Sequence, residues 1–102
     1  MTANKSERLR RNIEFDLAQT RSRVSQIETM IAAFEHICVD LGQQIEAEEK
    51  RARISDPAHF AYPTYAKAAR ERCAKLQQSV AALRIELDRL QANEYPNRQF
   101  AA

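Results

Sequence analysis

Apolar side chains recur along the first half of the chain in alternating steps of four and three residues. This spacing averages about 3.5 residues, the period of a coiled-coil seam. We place Leu17 and its equivalents at heptad position a, and Ile13 and its equivalents at d. The seam consists of Ile13, Leu17, Thr20, Val24, Ile27, Ile31, Phe34, Cys38, Leu41 and Ile45. The pattern predicts a first helix from about residue 5 to residue 53.

A second seam with the same period occupies the last third of the chain. Its members are Ala66, Ala69, Cys73, Leu76, Val80, Leu83, Leu87 and Leu90. Near the end of this seam, Pro96 disfavours helical geometry at the residue before it. The pattern therefore predicts a second helix from about residue 64 to residue 93 and a tail over residues 94–102.

The link over residues 54–63 contains two prolines, Pro57 and Pro63, which cannot donate to a helical hydrogen-bond ladder. Ser55 or Asp56 before Pro57 is typical of a helix start, so we expect a short turn or one helical turn here. A link this short makes two seamed helices antiparallel neighbours. The sequence therefore predicts one domain over residues 1–102, an all-α, antiparallel, two-helix coiled-coil hairpin.

Charge favours the same pairing, because the covered stretch of the first helix is acidic and the second helix is basic. Between residues 24 and 49 there is no Lys or Arg; the acids there are Glu28, Glu35, Asp40, Glu46, Glu48 and Glu49. The bases of the second helix are Lys67, Arg70, Arg72, Lys75, Arg84 and Arg89. Folding back sets unlike charges together, whereas a parallel homodimer would set acid against acid.

The register of the two helices stays open by one heptad. Pairing Glu49 with Arg70 and Glu35 with Arg84 favours one alignment, in which Cys38 and Cys73 would lie roughly 15 Å apart along the axis. The shifted alternative would bring the two cysteines within about 5 Å of each other.

The predicted helices differ in length, about 74 Å against about 45 Å. The second helix should end opposite residues 24–31, which leaves Ile13, Leu17 and at most one further seam residue, Val24, without an intramolecular partner. Uncovered apolar stripes usually mark association surfaces. We therefore expect the chain either to form a homo-oligomer through its first twenty or so residues or to fray there.

Composition and the absence of export signals predict the cellular compartment of the protein. The chain has 102 residues, one Gly and no Trp, and we found no secretory signal and no apolar run long enough for a membrane span. These features predict a cytoplasmic protein without membrane insertion, whose two cysteines stay reduced. Mild net charge, +2, gives little support to nucleic-acid binding.

The residues that carry chemistry form no recognisable catalytic or metal-binding pattern. His36, Cys38, His59 and Cys73 lack metal-ligand spacing, so we expect neither a metal nor a cofactor. A two-helix hairpin has little interior from which to exclude water, so an enzyme is not expected. Basic residues before the first seam suggest a DNA-binding zipper, but nearby acids and the acidic block argue against nucleic acid.

Two groups of residues are candidates for contacts with other proteins. The first group lies near the start of helix 1 and consists of Arg8, Arg11, Ile13 and Leu17. The second group lies at the link and consists of His59, Phe60, Tyr62 and Tyr65. The link aromatics either fold over the open end of the seam or form a partner site, and both roles are compatible.

Several segments together resemble the FliJ-like flagellar export proteins of alphaproteobacteria, over roughly residues 5–91. The most specific is the link Asp56-Pro57-Ala58-His59-Phe60-Ala61-Tyr62-Pro63-Thr64, supported by Gln26–Ile31, Glu48–Arg51 and Ala66–Ala69. The resemblance implies an antiparallel coiled coil that belongs to the flagellar type III export apparatus. It implies contacts with the export ATPase, the export gate and substrate chaperones. It also implies a location peripheral to the membrane. The open end, residues 5–23 with the tail, would then dock on the ATPase.

This chain departs from the family in one respect, since helix 2 usually continues further than Glu94. The segment that is missing would have covered Ile13 and Leu17. Two hypotheses therefore stand, an export-apparatus adaptor and a general coiled-coil scaffold or oligomerisation module, with a nucleic-acid-binding coiled coil as a weaker third.

Overall fold

The computed structural model describes residues 4–94, which form two α-helices, α1 (Lys5–Ala52) and α2 (Thr64–Glu94). The helices lie antiparallel, since Arg70 near the start of α2 contacts Glu49 near the end of α1, and Glu86 contacts Arg23. The predicted all-α hairpin is therefore confirmed. Neither helix is apolar over a length that would cross a membrane, within the residues described.

Both ends of α1 are defined by local hydrogen bonds. The side-chain oxygen of Asn4 accepts the backbone N–H of Ser6 at 3.1 Å and satisfies one of the unpaired donors of the first turn. At the other end, Arg53 adopts the left-handed conformation, φ 58° and ψ 30°. The N–H groups of Arg53 and Ile54 both reach the Glu49 carbonyl, so α1 ends one residue before the predicted Arg53.

Two successive turns form the link between the helices. The N–H of His59 donates to the Asp56 carbonyl at 3.0 Å, and the N–H of Tyr62 donates to the His59 carbonyl at 3.0 Å. The Asp56 carboxylate also accepts the N–H of Ala58 at 2.9 Å, which holds the first turn closed. Of the two predicted forms, the link therefore takes the turn and not a helical one, and α2 begins at Thr64 as expected.

The seam residues of both helices pack into two apolar clusters. The cluster nearer the link is built on Leu41, Ile45, Tyr62, Ala66 and Ala69, with Cys73 and Leu76 packed against it. The cluster nearer the open end is built on Ile27, Ile31 and Val80, with Phe34, Leu83, Leu87 and Leu90 around it. Small alanines face the large side chains of α1 beside the link, which lets the two helices approach closely there.

The observed register combines two features that the sequence analysis had assigned to different alignments, the Glu–Arg pairs and the closeness of the two cysteines. Glu49 pairs with Arg70 and Glu35 pairs with Arg84, yet the Cys38 Sγ lies 3.7 Å from the Cys73 carbonyl oxygen. The expectation that these ion pairs would hold the cysteines roughly 15 Å apart is wrong. Long Glu and Arg side chains extend along the helix axis, so their pairing does not place the backbones directly opposite each other.

Candidate protein-docking surface

Burial falls along the seam of α1 towards its N-terminus. Ile27 is fully buried, Val24 and Leu17 are half-buried, and Ile13 is 57% exposed. All four residues belong to the same heptad stripe, so the change does not come from their position around the helix. It comes from the partner, because α2 has far fewer residues than α1, 31 against 48.

Glu86 pairs with Arg23 and α2 continues to Glu94, so the prediction that it ends opposite residues 24–31 is wrong. The second helix reaches further, half-buries Leu17 and leaves Ile13 exposed.

We call residues 5–19 the N-terminal arm of α1. Within the arm, Leu9 is 62% exposed and precedes Ile13 by four residues, which places both on one face of the helix. With Leu17, these two side chains make a continuous apolar stripe that extends the buried seam. The sequence reasoning missed Leu9 because it counted strict a and d positions only; the four-residue spacing from Ile13 is the signal that would have found it.

Arg8 and Arg11, which were predicted to contact a partner, lie on a different face of the arm from the apolar stripe. Arg8 and Arg11 are three residues apart and share their face with Phe15, which is 64% exposed. The Arg11 guanidinium lies 3.8 Å from the Glu7 carboxylate on the same helix, and both side chains are exposed. The arm therefore presents two faces, an apolar one that continues the seam and a mixed basic one behind it.

The link aromatics divide between the core and the solvent. Tyr62 is buried in the cluster beside the link, whereas Phe60 is 97% exposed and stacks on His59 with ring centroids 4.7 Å apart. The hydroxyl of Tyr65, also exposed, donates to the Gln44 side-chain oxygen across the two helices. Tyr62 thus covers the end of the seam, one of the two roles foreseen, and Phe60 projects away from it.

Tyr62, Glu49 and Arg70 form a polar clamp next to the link. The Tyr62 hydroxyl donates to the Glu49 carboxylate at 2.6 Å, and Arg70 reaches both the Tyr62 oxygen and that carboxylate at 2.8 Å. These donors, the tyrosine first and the guanidinium second, lower the pKa of Glu49. Loss of contact with water, together with the neighbouring carboxylate, raises the pKa of Tyr62. The clamp ties the end of α1, the link and the start of α2 together.

The two predicted groups of partner-contacting residues lie at opposite ends of the hairpin. Ile13 and the end of α1 at Ala52 are separated by about 58 Å along the helix axis. The structure therefore does not bring the arm and the link aromatics into one site. Any protein that contacted both groups would have to extend along most of the hairpin.

The two cysteines are half-buried, whereas the two histidines are exposed. The Cys38 thiol donates to the Cys73 carbonyl within the seam. The neighbouring Cys73 side chain, followed by burial, raises the pKa of Cys38. His36 lies on the outer face of α1 near Asp40, at 3.5 Å. Within residues 4–94, no three side chains of His, Cys, Asp or Glu are grouped in a way that could hold a metal ion.

Comparison with protein-family models, with curated proteins and with solved structures returns no match to this chain.

Proposed function

We propose that this protein is a non-enzymatic adaptor that binds other proteins through the N-terminal arm. The observation that carries the proposal is the exposure of Leu9 and Ile13 in line with a buried seam. Burying each of these side chains in a complex would contribute about 1.5 to 3 kcal/mol. A partner helix placed beside the arm would obtain this energy from a surface that is already helical.

The proposed setting is the cytoplasmic side of a flagellar type III export apparatus. It is supported by the resemblance of the link sequence from Asp56 to Thr64 to FliJ-like export proteins. In that setting the partners would be the export ATPase, the export gate and substrate chaperones. The arm is the open end that such proteins use for docking, and here α2 leaves its stripe uncovered.

A coiled-coil scaffold or oligomerisation module is the second candidate function. The same exposed stripe favours it, because Leu9 and Ile13 of a second copy could provide the apolar cover. The two candidates differ in the molecule that covers the stripe, and recovery of partners separates them.

Copurification from a flagellated alphaproteobacterium that expresses the tagged full chain tests the proposal. We expect an export ATPase or gate protein to be recovered with the wild-type chain and lost with Ile13→Asp. The matched control is Val39→Asp, which places the same charge at a position that is 58% exposed but lies off the seam. Recovery of the chain alone, with self-association lost in Ile13→Asp, would support the scaffold function and contradict the adaptor.

A further inference from the structure

A file of glutamates runs along one flank of the α1 seam at seven-residue spacing. The file passes through positions 7, 14, 21, 28, 35, 42 and 49, and Glu occupies all of them except Arg21 and Gly42. Residues seven apart lie on the same side of a coiled-coil helix. The flank of the exposed stripe in the arm therefore carries Glu7 and Glu14, in line with the glutamates beside the covered seam.

The rest of α1, residues 20–52, packs against α2, and we call it the covered part. There, arginines of α2 contact this glutamate file. Arg70 pairs with Glu49 at 2.8 Å, and Arg84 pairs with Glu35. These two arginines are themselves two heptads apart on one flank of the α2 seam. The covered part thus shows what a helix lying against this side of α1 carries, namely an apolar heptad seam with basic residues on the flank that faces the glutamates.

The seam and the glutamate file both continue into the arm, where α2 has ended. Among the residues that the structure describes, Glu7 and Glu14 contact arginines of α1, Glu7 with Arg11 at 3.8 Å and Glu14 with Arg10 at 3.9 Å. Pairs this long, with more than half of each side chain exposed, contribute little. Both carboxylates can therefore turn to a partner at small cost.

A second copy of the chain is a poor occupant for this surface. Antiparallel pairing brings equivalent flanks together, as the contacts of Glu49 and Glu35 with α2 show. Two arms paired in that way would set the Glu7 and Glu14 carboxylates of one copy against those of the other. Parallel pairing would drive the covered parts of the two copies into each other, because α2 already fills that side of α1.

We propose that the occupant of the stripe is an amphipathic helix of another protein, basic on the flank that faces Glu7 and Glu14. The helix takes the place that α2 would occupy if it were longer. This inference rests on the proposed adaptor function and names the chemistry of the partner: Leu or Ile at heptad spacing over about two heptads, with Lys or Arg beside them.

Two synthetic helical peptides of three heptads test the inference with the full chain. Both carry Leu at a and d; one has Lys at the flanking positions and the other has Glu. Like charges on their own flanks oppose self-association of both peptides equally. In fluorescence anisotropy at low ionic strength we expect the lysine peptide to bind about tenfold more tightly. The difference should shrink towards equality at about 1 M salt.

Variants of the full chain assign the binding to the arm. Ile13→Asp should weaken binding of the lysine peptide by about tenfold or more, whereas Val39→Asp should leave it unchanged. The double variant Glu7→Arg with Glu14→Arg should reverse the preference between the two peptides. These positions are exposed on α1, so circular dichroism of each variant is expected to match that of the wild-type chain.

Three results would overturn the inference. The first is equal or tighter binding of the glutamate peptide, and the second is a preference that the double variant does not change. The third comes from a photo-crosslinking residue at position 13, if it reacts with a second copy or with residues 95–102 instead of the lysine peptide. If position 13 captures an export protein through an acidic helix, this inference fails while the adaptor function stands.

Discussion

The covered part of α1 and its N-terminal arm differ in exposure although they belong to one helix and one heptad pattern. Ile27 is fully buried, whereas Ile13, two heptads earlier, is 57% exposed. Both are apolar residues at the same heptad position. The difference teaches that a heptad pattern identifies which face of a helix can be buried, while the extent of the neighbouring helix decides which turns are buried.

Charge distinguishes the two regions in the same way. In the covered part, Glu49 receives hydrogen bonds from Tyr62 and Arg70, and Arg23 makes a two-point contact with Glu86 nearer the open end. In the arm, Glu7 and Glu14 lie near arginines one turn away on α1. Packing thus gives the acids of the covered part fixed geometry, and in the arm only local pairs form.

The largest expected difference comes from truncating the same side chain in the two regions. Ile27→Ala should lower the free energy of unfolding by about 2 to 5 kcal/mol, because it removes a fully buried side chain from the cluster with Ile31 and Val80. Ile13→Ala should change it by less than about 0.5 kcal/mol. Urea denaturation followed by circular dichroism measures both; equal losses would mean that the arm is covered in solution.

A smaller effect is expected from raising helix propensity in each region. Gly42 has no neighbouring atom within 4 Å of an added Cβ, so Gly42→Ala should raise the free energy of unfolding by about 1 kcal/mol.

Asn12→Ala is the matched change in the arm, where it should raise helicity without raising the free energy of unfolding. A short helix without tertiary contacts is marginal and frays apart from the cooperative unit. Amide exchange of residues 5–19 before and after the substitution checks this expectation. Slow exchange of the arm equal to that of residues 27–45 would contradict it.

The clamp at the link predicts a pH dependence. The pKa of Glu49 is lowered in the folded chain, so its contribution to stability is complete above the unfolded value of about 4.3 and is lost as the pH falls through the lowered pKa. Glu49→Gln should therefore lower the thermal midpoint at pH 7, and the difference from wild type should narrow below about pH 4. Glu14→Gln in the arm serves as the control and should not change the midpoint at pH 7.

The last test concerns register and leaves stability unchanged. The Cys38 thiol and the Cys73 carbonyl are 3.7 Å apart, so a short thiol-to-thiol crosslinker should join the two cysteines within one chain. Cys38→Ser should abolish the product. If mass spectrometry found only crosslinks between chains, the alignment of the two helices would have to be shifted by a heptad.

Much of the hairpin was predictable because its signals are local. The 3.5-residue period marked both helices, and the prolines at 57 and 63 marked the reversal, so α2 was expected to begin at Thr64, where it does begin. The end of α1 differed by one residue, since nothing in the identity of Arg53 indicates that it adopts the left-handed conformation. Leu9 was not predicted as a seam residue because it lies beside the a and d positions of the heptad pattern.

The sequence by itself determined that this chain forms two amphipathic helices joined by a short reversal, and that their charges suit each other. Only the tertiary structure decided the register, the burial of Tyr62 within the clamp, and how far along α1 the second helix extends. The reason is that periodicity and capping act over a few neighbouring residues. Alignment and cover depend instead on contacts between residues far apart in the chain, where side-chain reach and the lengths of both helices combine.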